Sequence, residues 1–231
     1  MQTELPGHIT DVVNDFLKIG DGDELYRTSR ARSWDYCYTY FRRHPEPTRD
    51  MEMSCLQLGY YLASWGMLRG SSYLFAQTNV HHYTKAIPVI EDLDPTMRTI
   101  DADSYLKLDA QVAILNTYRE LRAVLVPSTV SHVTLVGKVM LGVWGCIPSF
   151  DTYFHRGFRQ LAADHGHKAA FNRDSPASLI LLGNFYEAHR EEIGALAARQ
   201  SMLTFEGKPT GIRLPLAKVI DMYGFQKGYT N

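Results

Sequence analysis

Two segments of this chain carry more apolar surface than a helix on the outside of a protein can hide. MEMSCLQLGYYLASWGMLR at 51–69 is apolar around much of a helical circumference, and VTLVGKVMLGVW at 133–144 carries a single charge, Lys138. Such helices must be surrounded by other elements, so the chain is expected to pack helix on helix. Ile9, Val12, Val13, Phe16 and Leu17 recur at helical spacing over 8–19, with Gly20 as the stop and GDGDE at 20–24 as a loop. Ser33 reads as the cap of WDYCYTYFRR, and HPEPTRD at 44–50 breaks the chain. Residues 71–76 extend the 51–69 helix past Gly70, and a further helix covers 79–93 with Pro88 as kink or start. Leu106, Leu108, Val112, Leu115, Tyr118 and Leu121 place another at 103–124, and VPST at 126–129 interrupts it. Helices at 133–144, at 150–164, from Ser175-Pro176 to about 199 and at 215–223 follow, then a loose end, GFQKGYTN. VPSTVSHVTLV is the one stretch with strand character, and its neighbours are helical. The expectation is an all-α protein of eight or nine helices, a single domain over 1–231 with two lobes and a central cleft.

Formal net charge is −1, which argues against a strongly basic nucleic-acid binder and leaves any such binding to a local patch. One patch is visible: Arg27, Arg30, Arg32, Arg42, Arg43, His44 and Arg49 fall within YRTSRARSWDYCYTYFRRHPEPTR, interleaved with aromatics. It reads equally as a solvated face paired to acids elsewhere. Lys208, Arg213 and Lys218 are candidates for further contacts. Cys37, Cys55 and Cys146 show no CxxC or CxxH spacing, so reduced thiols in a cytoplasmic protein are expected. Runs such as AVLV at 123–126 are far too short to cross a bilayer, and no membrane partner is expected.

Chemistry concentrates at 131–158, SHVTLVGKVMLGVWGCIPSFDTYFHRGF. An apolar helix bearing Lys138 ends in Trp144-Gly145, a loop with Pro148 follows, and Asp151-Thr152 opens the next helix with Arg156 five residues on. An aspartate there is either an N-cap or a catalytic group. The segment resembles the region of the helix-hairpin-helix, endonuclease III-like DNA glycosylases that carries their catalytic aspartate. Asp151, Thr152 and Arg156 match the Asp-Thr-x-x-x-Arg pattern of that family in type and order.

The resemblance implies a helix-hairpin-helix element at about 124–144 and a glycosylase in which Asp151 stabilises an oxocarbenium-like sugar and activates water. It also implies a flipped-out base in an aromatic pocket. Trp34, Tyr38, Trp65, Arg69 and Tyr153 are the candidate substrate contacts. Ser128, Ser131, His132, Thr134 and Arg156 are the candidate DNA contacts. The hairpin, STVSH at 128–132, lacks the glycines usual in the family, and Thr134 occupies the position of the Schiff-base lysine of bifunctional members. Lys138, one turn further, is the alternative lysine, so a monofunctional enzyme without metal or other cofactor is expected. The partner implied is double-stranded DNA with a modified base, bound by a monomer. A resembling class, the viral-genome glycosylases of bacterial phage defence, excises glucosylated cytosines, which makes a hypermodified cytosine one implied base.

Two other classes fit a helical chain of this charge. One is a metal-dependent hydrolase of HD type using His81, His82, Asp101, Asp103, Asp164, His165 and His167, although no HExxH or i, i+4 ligand spacing is present. The other is a non-enzymatic helical partner-binding protein.

Overall fold

Of the eleven residues of the helix Val133–Val143, nine are buried, Lys138 among them, so this helix is the centre of the fold. The computed structural model describes residues 8–17, 28–172 and 175–230. Its α-helices are, in chain order, α1 (Ile9–Leu17), α2 (Arg32–Arg43), α3 (Met51–Ser64), α4 (Tyr73–Gln77), α5 (Ala86–Met97), α6 (Leu108–Leu125), α7 (Val133–Val143), α8 (Thr152–Asp164), α9 (Pro176–Ala188), α10 (Arg190–Arg199) and α11 (Leu216–Thr230). Among the described residues helix makes up 71% and the sheet is one antiparallel pair, β1 (Ser201–Leu203) with β2 (Pro209–Arg213), so the fold is all-α. Among the described residues no helix is long and apolar enough to cross a membrane.

Several helix ends differ from expectation for local reasons. The 51–69 helix stops at Ser64 because Gly66 takes φ +76, with Met67 N bonded to Leu62 O and Gly66 N to Ala63 O, a Schellman stop. Residues 73–77 therefore form a separate short helix capped by Ser72. Ser33 lies inside α2, and its hydroxyl donates back to Arg30 O instead of capping. The 103–124 helix begins at Leu108, after a 3₁₀ turn at Ala102–Ser104 capped by Asp101. Pro88 sits in the first turn of α5, as a start rather than a kink. Ser175 and Pro176 open α9 as the sequence indicates, but the helix breaks at His189 instead of running to 199. The Gly20 stop and the GDGDE loop lie outside the described residues.

α3 is not the enclosed helix its composition implies: Leu56 and Tyr60 are exposed on its outer face. α7 is enclosed, packed by α2, α3 and α6. Gly142 lets Tyr61 of α3 lie flat against it, and Trp34 of α2 donates to Leu141 O at 2.9 Å.

The expected loose end is the largest departure. GFQKGYT is the second half of α11 and is mostly buried against α8. Glycines in a helix normally weaken it, but here they form the contact. A Cβ at Gly157 on α8 would collide with the Gly224 carbonyl oxygen of α11, and one at Gly228 would collide with the Tyr153 carbonyl oxygen. The two backbones touch, and no side chain fits between them. Gly157→Ala should therefore destabilise the fold by about 2 kcal/mol. Gly194→Ala on α10, where a Cβ meets nothing within 4 Å, should stabilise it by about 0.5–1 kcal/mol. Urea midpoints read both, and a neutral Gly157→Ala would contradict the close crossing.

Candidate active site

The loop from Trp144 to Asp151 is tied down at nearly every residue. Trp144 Nε1 donates to Asp94 at 3.0 Å, and Tyr105 Oη donates to Cys146 O at 2.7 Å. Ser149 donates from both its backbone N and its hydroxyl to Asp221 Oδ1, each at 2.9 Å. Phe150 takes φ +48, a left-handed conformation that non-glycine residues enter only when their surroundings impose it. Its carbonyl accepts from Thr134 Oγ1 at 3.3 Å, and its ring packs on Phe154 and Phe171. The chain therefore arrives at Asp151 in one orientation.

Asp151 divides its two carboxylate oxygens between two jobs. Oδ1 caps α8, accepting from Phe154 N at 2.9 Å. Oδ2 accepts from Lys138 Nζ at 3.1 Å, with both side chains largely buried. Cap and candidate catalyst are thus the same group.

A second buried pair stands behind the first. Lys218 Nζ donates to Asp221 Oδ2 at 3.0 Å, and both ammonium groups lie over the Trp65 ring, Lys138 at 5.2 Å and Lys218 at 5.5 Å from its centroid. Arg30 adds a third cation at 4.9 Å. Burial pushes the Asp221 carboxyl up, but Lys218 and then Lys138 beside it outweigh burial and hold it below the ordinary carboxylate range. One step further, Asp35 accepts from Arg32 at 2.7 Å and from Leu203 N at 3.0 Å, and burial dominates there, raising its carboxyl.

The Lys138–Asp151 pair lies at a cleft of about 630 Å³. Trp65, Tyr153, Phe225 and Tyr229 give it aromatic walls, and Arg30, Arg69 and Arg156 give it positive charge, with Asp151 the one carboxylate lining it among the described residues. A second basin of about 420 Å³ shares Thr134, Thr152 and Arg156 with the first and adds Ser131, Arg159 and Lys168. Burial lowers the imidazole pKa of His155, which lines this basin, so its ring adds no charge at neutral pH.

Seven of the residues singled out from sequence meet here: Asp151, Lys138, Trp65, Arg69, Tyr153, Thr134 and Arg156 all line the cleft. Ser131 lines the second basin. Trp34 and Tyr38 do not join them; both are buried in the core, ring on ring at 4.9 Å, because the inner face of α2 is held against α7. Ser128 is exposed outside both cavities, and His132 Nδ1 is engaged with Tyr118 Oη at 2.9 Å. Lys218 is a buried ion-pair partner and not a surface contact. The basic stretch divides: Arg30 reaches the cleft, Arg32 is buried on Asp35, and Arg42, Arg43 and His44 are exposed. The residues overlooked were Asp221, Ser149 and Phe225. The signal for Asp221 was present in LAKVIDMYGF, where Lys218 and Asp221 are the only charges in an apolar helical run.

His81, His82, Asp101, Asp103, Asp164, His165 and His167 do not gather: among the described residues no three His, Cys, Asp or Glu side chains form a metal-binding group. Comparison with known protein families, curated proteins and solved structures finds no match to the chain.

Removing one member of a buried ion pair strands the other. Lys138→Met and Asp151→Asn should each destabilise the protein by about 3 kcal/mol, and the double variant by at least about 1 kcal/mol less than their sum. Additive losses in denaturant melts would show that the two groups do not pair.

Proposed function

We propose that this chain is a DNA glycosylase that hydrolyses the N-glycosidic bond of a flipped-out modified base, without a metal or covalent intermediate. The observation that carries the reading is the Asp151 carboxylate, bonded to Lys138 Nζ and to the first turn of α8, at a cleft whose other charged lining groups among the described residues are all cations. A carboxylate in a partly dry site stabilises developing positive charge far better than one in water. Cleavage of the bond between C1′ and the base nitrogen leaves the electron pair on the base and positive charge on the sugar. Asp151 Oδ2 faces that charge, and water adds at C1′ on the side Asp151 directs it to, giving one proton to the Asp151 carboxylate as the sugar hydroxyl forms, while the departing base takes up a proton from solvent and Asp151 later returns its own to solvent.

The rest of the site fits the substrate of such a reaction. An extruded base needs aromatic faces, which Trp65 and Tyr153 provide, and polar groups for its edge, which Arg69 and Arg30 provide. The neighbouring basin, with Arg156, Arg159 and Lys168, suits the phosphate backbone on either side of the extruded nucleotide. A local patch of this kind supplies the binding charge that a chain of net charge −1 lacks globally. The cleft of about 630 Å³ has room for a base with a bulky substituent, which favours a hypermodified base such as glucosylated cytosine.

The test is incubation of the protein with duplex DNA containing normal, alkylated, oxidised or glucosylated bases, followed by detection of free base and alkali-labile sites. Release from a modified duplex is expected, falling about 100- to 1,000-fold in Asp151→Asn. Release from none of them overturns the enzyme, and an Asp151→Asn protein with full biological activity favours the partner-binding reading. Strand cleavage without alkali, trapped by borohydride, would instead assign Lys138 a covalent role.

A further inference from the structure

We infer that Asp221 of α11 is a positioning residue for the Asp151 carboxylate, setting both its aim and its freedom to act. The inference rests on Asp151 being the working group of the cleft, and it concerns a residue that does not line the cleft.

The aim comes through Ser149. Asp221 Oδ1 takes both polar hydrogens of Ser149, and Asp221, Ser149 and Lys218 are all buried, so no water competes for these bonds. Ser149 stands two residues before Asp151, and the residue between them, Phe150, is held at φ +48. An L-residue in that region relaxes unless it is fixed on both sides. Thr134 fixes the Phe150 carbonyl on one side, and Asp221 fixes Ser149 on the other. Gly137 makes this approach possible, since a Cβ there would come 2.8 Å from the Ser149 carbonyl oxygen. Without Asp221, Phe150 has a route back to ordinary backbone conformation, and Asp151 turns with it.

The freedom to act comes from charge. Asp151 is bonded to the Lys138 ammonium, and a sugar cation in the cleft competes for the same carboxylate. If Asp151 were the one counter-charge for Lys138, turning toward the sugar would strand a buried ammonium. Asp221 lowers that penalty. Lys138 and Lys218 share the Trp65 ring, and the Asp221 carboxyl is drawn down by both lysines. It is the standing negative charge that keeps Lys138 partly compensated while Asp151 attends to the substrate.

Two variants separate the two roles. Ser149→Ala removes one bond to Asp221 and leaves every charge in place. Asp221→Asn combined with Lys218→Met removes a cation and an anion together, so it does not depend on the fold tolerating a lone buried charge, and it keeps an oxygen for Ser149. Hydrogen exchange at the Phe154 amide, which is bonded to Asp151 Oδ1, should quicken about 10-fold in Ser149→Ala while α6 amides keep their protection. In the double variant, single-turnover base release should slow about 100-fold with duplex affinity unchanged within about 3-fold. Asp221→Glu should recover part of the rate that Asp221→Asn loses. Unchanged Phe154 exchange in Ser149→Ala overturns the aiming role, and a wild-type rate in the double variant overturns the charge role. The exchange measurement needs no turnover, so it decides the aiming role even if the wild-type protein releases no base.

Discussion

Six charged side chains, Arg32, Asp35, Lys218, Asp221, Lys138 and Asp151, are buried in sequence from α2 through α11 and α7 to the start of α8. A buried charge without a partner costs several kcal/mol, so a core holding three cations must also hold three carboxylates within reach of them. That requirement ties together elements distant in the chain. α11 must bring Asp221 to the loop before α8, α7 must turn Lys138 toward Asp151, and β1 must close over Asp35. Apolar packing alone would leave these helices freer to slide against one another.

Close backbone contact makes the arrangement possible. α8 and α11 meet through Gly157, Gly224 and Gly228, and α7 meets the Ser149 turn at Gly137. Each contact brings a charged or strained segment nearer to its partner than any side chain would allow. Trp65 then presents its ring to three cations, Arg30, Lys138 and Lys218, at the boundary between the buried charges and the open cleft. Attraction of cations to an aromatic face is worth roughly 0.5–2 kcal/mol each. It helps two ammonium groups to share one wall, with Asp151 the carboxylate on the cleft side of Lys138.

Much of this was legible in the residues and some was not. α7 was readable because an apolar run with one lysine has nowhere to go except the core. Asp151 was readable as a helix start because the Pro148-Ser149-Phe150-Asp151 order gives a loop and a cap. The end of α11 was not readable: Gly224 and Gly228 look like breakers, and only the position of Gly157 on another helix turns them into a contact surface. Trp34 and Tyr38 misled in the opposite way, since aromatics suit a pocket and a core equally and only the packing of α2 on α7 decides between them. Ser33 has the chemistry of a cap, yet the helix begins one residue before it and the hydroxyl turns back to Arg30. The hairpin at 201–213 was too short for a period-two pattern to register.

The central claim is that Asp151 stabilises positive charge on a sugar in the cleft. Affinity for duplexes carrying an abasic-site analogue tests it directly, because a cationic pyrrolidine and a neutral tetrahydrofuran have nearly the same shape and differ in charge. The wild-type protein should bind the pyrrolidine duplex about 100-fold more tightly, and Asp151→Asn should lose that preference. Equal affinity for the two analogues in the wild-type protein would contradict the account.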